Sequence, residues 1–74
     1  MIEAIGKELK ILRIRNNLSI EEVANHFDLS YETIRRYENG TVDMSIERLE
    51  KMLDYYKVSV DIFFKNVRAY NHES

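Results

Sequence analysis

Apolar residues recur at helical spacing from the start of the chain. Ile2, Ile5, Leu9 and Leu12 step by three or four positions, which is one face of a helix over about residues 2–16. Asn16-Asn17 stops it, because Asn tolerates the left-handed conformation at a helix end. Ser19 opens a second helix over about 20–27. Ser19 and Glu22 have the spacing of a capping box, and Leu18 and Val23 that of a hydrophobic staple. Val23, Ala24 and Phe27 form its inner face, and Asp28-Leu29 make a tight connection. Ser30 caps a third helix, about 31–38, with Ile34 and Tyr37 inward and Asn39-Gly40 as its stop. Residues 41–44 read as a loop. Ser45 caps a fourth helix, about 46–56, whose inner face is Ile46, Leu49, Met52, Leu53 and Tyr56. Ser59 caps a short last helix, about 60–65, which buries Phe63 and Phe64 or offers them to a partner. The polar stretch 66–74 reads as a frayed tail.

Composition agrees with a helical domain. The 74 residues allow one core and one domain, here residues 1–65 followed by the tail. They leave no room for a doubly wound cofactor-binding sheet or a separate effector domain. Control is then expected through concentration, a partner protein or proteolysis. Hydrophobic residues are 45% and charged residues 32%, which is globular. Proline is absent and Glu, Lys, Leu and Arg are frequent, as helices prefer. No apolar run approaches the roughly 18 residues of a membrane span, and the amphipathic start is not a secretory signal. Cysteine is absent, which excludes disulfides and thiolate metal sites and fits a reducing, cytoplasmic setting.

Candidate chemistry is sparse. Ser19, Ser30, Ser45 and Ser59 are all explained as helix caps, so none is a candidate nucleophile. His26 and His72 stand alone, with no metal-ligand spacing, carboxylate–histidine cluster or phosphate-binding loop. No enzymatic activity, metal or cofactor is expected. The net charge is −2, and residues 1–40 and 41–74 are each slightly acidic. Bulk charge therefore does not announce a nucleic-acid binder, and any such reading must rest on placed residues.

Two short helices joined by a tight turn inside a five-helix chain describe a helix-turn-helix. The segments Leu18–Ala24 and Leu29–Gly40 resemble the Cro/C1-type (XRE) family of DNA-binding domains. Residues Ser45–Leu49 and Val58–Phe64 look like that family's fourth and fifth helices, so the resemblance covers about Ile5 to Phe64. It implies an all-α, five-helix, lambda-repressor-like fold with the helix-turn-helix at helices two and three. The implied function is a sequence-specific transcriptional regulator of prokaryotic or phage origin, a dimeric repressor reading a palindrome in double-stranded DNA through helix 31–38. The resemblance assigns base contacts to Tyr31, Glu32 and Arg36. Their chemistry suits the role: Arg36 can fork onto guanine and Glu32 can accept from cytosine. The bland alternative is a surface ion pair between Glu32 and Arg36, four residues apart. Phosphate contacts fall to Arg35, Asn39, Thr41 and the helix start at Ser19 and Ile20, where unpaired N–H groups favour anions. Thr33 is open between touching DNA and supporting the helix. Arg13 and Glu38 match a family pair that clamps helix one to helix three.

Several positions depart from the family. Ile20 stands where glutamine often touches phosphate, which removes a side-chain contact. Asp28 and Lys57 replace usual glycines, and Met44 a usual proline. Ile11 and Ile14 lie off the core face of helix one, where the family carries charges. They pack under the Phe64–Tyr70 segment or form a dimer or partner surface together with Phe63, Phe64 and Tyr70. The second reading is accordingly a protein-interaction module with the same fold, such as an antitoxin or adaptor. No membrane partner is expected.

Overall fold

Five α-helices make up the computed structural model, which describes residues 2–73 and the side chains of residues 3–70. They are α1 (Ile2–Arg15), α2 (Ile20–Phe27), α3 (Tyr31–Asn39), α4 (Ile46–Tyr56) and α5 (Val60–Glu73). The described residues contain no strand. The side chains of Ile2 and His72 lie outside the described set.

Local chemistry sets the boundaries. Ser19, Ser30, Ser45 and Ser59 each accept a hydrogen bond from the backbone N–H three residues on. That satisfies a donor which the first helical turn leaves without a partner. At α2 the box is closed reciprocally, because the Ser19 N–H donates to Glu22 Oε1 at 3.0 Å. The stops are left-handed: Asn17, Asp28, Gly40 and Lys57 have φ of 57°, 56°, 70° and 60°. Gly40 takes this conformation without strain, whereas Lys57 brings a Cβ into it.

The core is built from every helix. Leu9, Val23, Ile34, Met52, Leu53, Phe63 and Val67 are all essentially inaccessible. The fourth helix departs from its predicted inner face at one end. Ile46, at the first position of α4, is 70% exposed, whereas Leu49, Met52 and Leu53 further along the helix are buried.

The largest departure concerns the chain after Lys65. The segment read as a frayed tail continues α5 to Glu73. Phe63 and Val67 lie one helical turn apart and are fully buried. Burying such side chains contributes about 1.5–3 kcal/mol each, enough to hold the helix against fraying. Beyond them, Asn66 Nδ2 and Tyr70 Oη donate to the Glu8 carboxylate at 3.0 and 2.8 Å. Glu8 is only 2% exposed, so these bonds satisfy a buried carboxylate and tie α5 to α1. Lys7 also places its ammonium 4.7 Å from the centre of the Tyr70 ring.

Candidate nucleic-acid interface

The third helix has a locked inner face and an open outer one. Its inner face carries Ile34, fully buried, with Tyr37 half-buried and Glu38 7% exposed. Its outer face exposes Tyr31, Glu32, Arg35, Arg36 and Asn39.

Two contacts press the C-terminal end of α3 onto α1. Arg13 Nε and Nη2 donate to the two Glu38 oxygens at 2.7 and 3.1 Å, a fork that needs the planar guanidinium. Arg13 Nη1 also donates to the Leu18 carbonyl at 2.9 Å, so one side chain joins α1, the α1–α2 turn and α3. The bond to Glu38 raises the guanidinium above its ordinary range, against the opposing effect of burial. The second contact is Gly6. A Cβ there would lie 2.5 Å from the carbonyl oxygens of both Tyr37 and Glu38. Only glycine lets the α1 backbone approach the end of α3 this closely.

On the outer face, Glu32 is shared by two arginines. Arg35 hydrogen-bonds Glu32 through Nε at 3.0 Å and again through Nη2, and Arg36 Nε lies 3.4 Å from the same carboxylate. The bond from Arg35 and the charges of both arginines hold the Glu32 carboxyl below its ordinary range, although desolvation opposes this. Exposed pairs of this kind gain little over separately solvated charges. Arg35 and Arg36 therefore remain exchangeable between Glu32 and an external acceptor. Tyr31 is 52% exposed at the first position of the helix. Thr33, half-buried, has its hydroxyl 2.8 Å from that of Ser30 and so belongs to the helix cap.

At the start of α2 the donors are partly used. Both the Ser19 N–H and the Glu22 N–H are committed to the capping box, which leaves the backbone N–H groups of Ile20 and Glu21 pointing out of the helix. The Ile20 side chain is half-buried and packs against the core. Glu21 and Glu22 put two negative charges in the same turn, which weakens this end as an anion site. Beyond α3, the Thr41 N–H and hydroxyl both turn back to the Arg36 carbonyl, at 3.1 and 3.4 Å.

A family model described as helix-turn-helix matches residues 9–63, a span that includes α2, α3 and the turn between them. The chain belongs to this family. The family is one of DNA-binding transcriptional regulators of the Cro/C1 type. An HTH-type transcriptional regulator of Rickettsia conorii is 27% identical over 67 residues, 90% of this chain and 54% of that protein. The transcriptional repressor RstR of the cryptic phage CTXphi of Vibrio cholerae is 34% identical over 55 residues, 74% of this chain and 50% of the repressor. The antitoxin PezA of Streptococcus pneumoniae is 39% identical over 59 residues, 78% of this chain and 37% of the antitoxin. The chain thus spans about half or less of the length of the curated relatives it matches. No solved structure matches it.

The apolar residues assigned to a partner surface separate in this helix-turn-helix domain. Phe63 is fully buried and cannot reach a partner. It sits on the inward face of a helix that is longer than expected. Phe64 is half-buried, and Tyr70 is half-buried and bonded to Glu8. Ile11 is half-buried, and Ile14 is 55% exposed. Glu8 and Gly6 escaped the sequence reading. A single charged residue on an apolar stripe was the only signal for Glu8. His26 is exposed, yet its ring stacks on Tyr55 with centroids 4.0 Å apart, and both rings meet Phe27 edge-on. This cluster joins the end of α2 to the end of α4. Among the described residues no helix is long and apolar enough to cross a membrane.

Proposed function

We propose that this domain is a sequence-specific regulator that inserts α3 into the major groove of double-stranded DNA. The observation that carries the reading is the division of α3. Arg13 and Gly6 hold its inner face rigidly, and its outer face offers Tyr31, Glu32 and Arg36 with no apolar cover. Such a helix is positioned by the protein and free to read bases. Arg36 leaves Glu32 to fork onto guanine, and Glu32 accepts from cytosine. Arg35, Asn39 and the start of α2, with Ser19 through its hydroxyl and Ile20 through its backbone N–H, hold the phosphates, and Thr41 joins them by exchanging its long 3.4 Å hydroxyl bond to the Arg36 carbonyl for a phosphate. The protein acts in the cytoplasm as a homodimeric repressor, with its recognition helices about 34 Å apart on a palindrome.

Selection of random duplexes by the purified protein at about 100 mM salt tests this reading. A palindrome with half-sites one helical turn apart is expected. Arg36→Ala should then lose about ten- to a hundred-fold in affinity and lose a guanine preference. Failure to enrich any sequence overturns the reading.

A second reading, an interaction module, is favoured by exposed Ile14 and by the antitoxin relative. In that case the Ile11→Glu, Ile14→Glu double variant loses function while Arg36→Glu keeps it. The DNA reading predicts the reverse.

A further inference from the structure

The charges on the outer face of α3 converge on one atom. Arg35 Nε donates to Glu32 Oε1 at 3.0 Å, and Arg35 Nη2 donates to the same oxygen. Arg36 Nε lies 3.4 Å from it as well. Glu32 Oε2 accepts from no side chain among the described residues. The side chains of Glu32, Arg35 and Arg36 are 47%, 47% and 56% exposed, so external groups can reach all three. One negative charge between two positive ones cancels half of what this face offers to phosphate.

The helix does not need this carboxylate to start. Ser30 caps it, accepting from the Thr33 N–H at 3.1 Å and lying 2.8 Å from the Thr33 hydroxyl. Thr33 holds the position that Glu22 fills in the capping box of α2, so Glu32 is not committed to the backbone. An acid in the first turn favours the helix dipole with or without arginine partners.

We infer that Glu32 is a specificity gate: its carboxylate occupies Arg35 and Arg36 as DNA would, and releases them without loss only where a cytosine amino group takes their place. On any duplex, Arg35 leaves Oε1 for a phosphate and Arg36 leaves it for a base. The carboxylate is then stripped of its donors inside the negative field of the DNA. At a site with cytosine in reach, the N4 amino group donates to the open Oε2 and offsets that loss. Elsewhere the charge stays unpaired, so discrimination comes from the penalty on wrong sequences as well as from the contact to the right one. This inference rests on the major-groove reading above and adds what holds non-specific binding down.

Anisotropy titrations of the full chain test it, on a selected site and on a mixed-sequence duplex of equal length, with circular dichroism as a check on folding. Glu32→Gln should bind the mixed duplex about three- to ten-fold more tightly, because the exposed pairs no longer have to be broken. It should also lose a cytosine preference of about ten-fold on the selected site. Glu32→Ala should shift mixed-duplex affinity in the same direction. In the Arg35→Ala background the gain on the mixed duplex should largely vanish, since Arg35 makes both hydrogen bonds to Oε1. A carboxylate that served only the helix would, on removal, weaken binding to both duplexes, and that result overturns the gate. A gain of equal size without Arg35 overturns it too, because Glu32 would then act by simple repulsion of phosphate. In either case a guanine preference lost in Arg36→Ala leaves the major-groove reading standing. A wild type that binds neither duplex overturns both.

Discussion

At Lys57 and Tyr56, single side chains are held at a cost in conformations that the rest of the chain imposes. Lys57 ends α4 with φ of 60°. A non-glycine residue there costs about 1–2 kcal/mol, so Lys57→Gly should stabilise the domain by about 1 kcal/mol, read as a higher urea midpoint. Asp28 meets the same demand at φ 56° more easily, since Asp visits this region more readily than most residues. Tyr56 is 4% exposed and its hydroxyl has no hydrogen-bond partner among the described residues. Burial, reinforced by the Glu38 charge and opposed by Arg13, raises the phenol well above its ordinary range. The fold therefore prefers the neutral phenol. That preference is fully present below the unfolded value near pH 10 and is lost as pH rises beyond it. Tyr56→Phe should be neutral or stabilising by about 1 kcal/mol near pH 7. It should also flatten the alkaline loss of stability in denaturation series run from about pH 8 to 11.

At the level of elements, α1 is the brace for α3. Arg13 and Glu38 stand 25 residues apart and close a two-bond fork whose Glu38 side chain is 3% exposed. Arg13→Ala leaves that carboxylate buried and unpaired, so a loss of about 3 kcal/mol is expected by chemical denaturation. Affinity for DNA should fall with it, because the recognition helix loses its fixed angle. Gly6→Ala should act in the same direction. Its methyl meets backbone oxygens at 2.5 Å, and backbone cannot rotate away as a side chain can. The existence of α1 to α4 was legible because each helix carries its own apolar stripe, and α2, α3 and α4 each begin at a capping Ser. The length of α5 was not. Lys65, Asn66 and Arg68 dilute the stripe of Phe63, Val67 and Tyr70, and Asn66 and Tyr70 are held by Glu8, on another element.

Over the whole molecule, the net charge of −2 limits what phosphate contacts can supply. Arg35 is the one arginine of α3 assigned to phosphate, and its hydrogen bond to Glu32 raises its guanidinium above the ordinary range. Arg35→Ala should weaken binding alike for all sequences. It should also reduce the slope of log affinity against log salt by about 1 per half-site, measured by anisotropy titrations at several salt concentrations. Arg36→Ala should instead change which sequences are preferred. The two arginines are adjacent and chemically identical. Only their angles about α3, relative to the face that Ile34 and Tyr37 bury, separate the roles proposed for them.

What the sequence determined by itself is local: where helices start and stop, which stripe turns inward, and that the second and third helices form a recognisable pair. Capping, left-handed stops and amphipathic spacing act over three or four residues, so they can be read along the chain. Tertiary structure alone decided which residues lose or keep water. Glu8 becomes a buried anchor through partners 58 and 62 residues away. Gly6 becomes a point of backbone contact, Phe63 joins the core, and Ile46 is left exposed beside a cavity. Burial depends on what other elements cover a side chain. That is a property of the assembled helices, and no spacing within a single one encodes it.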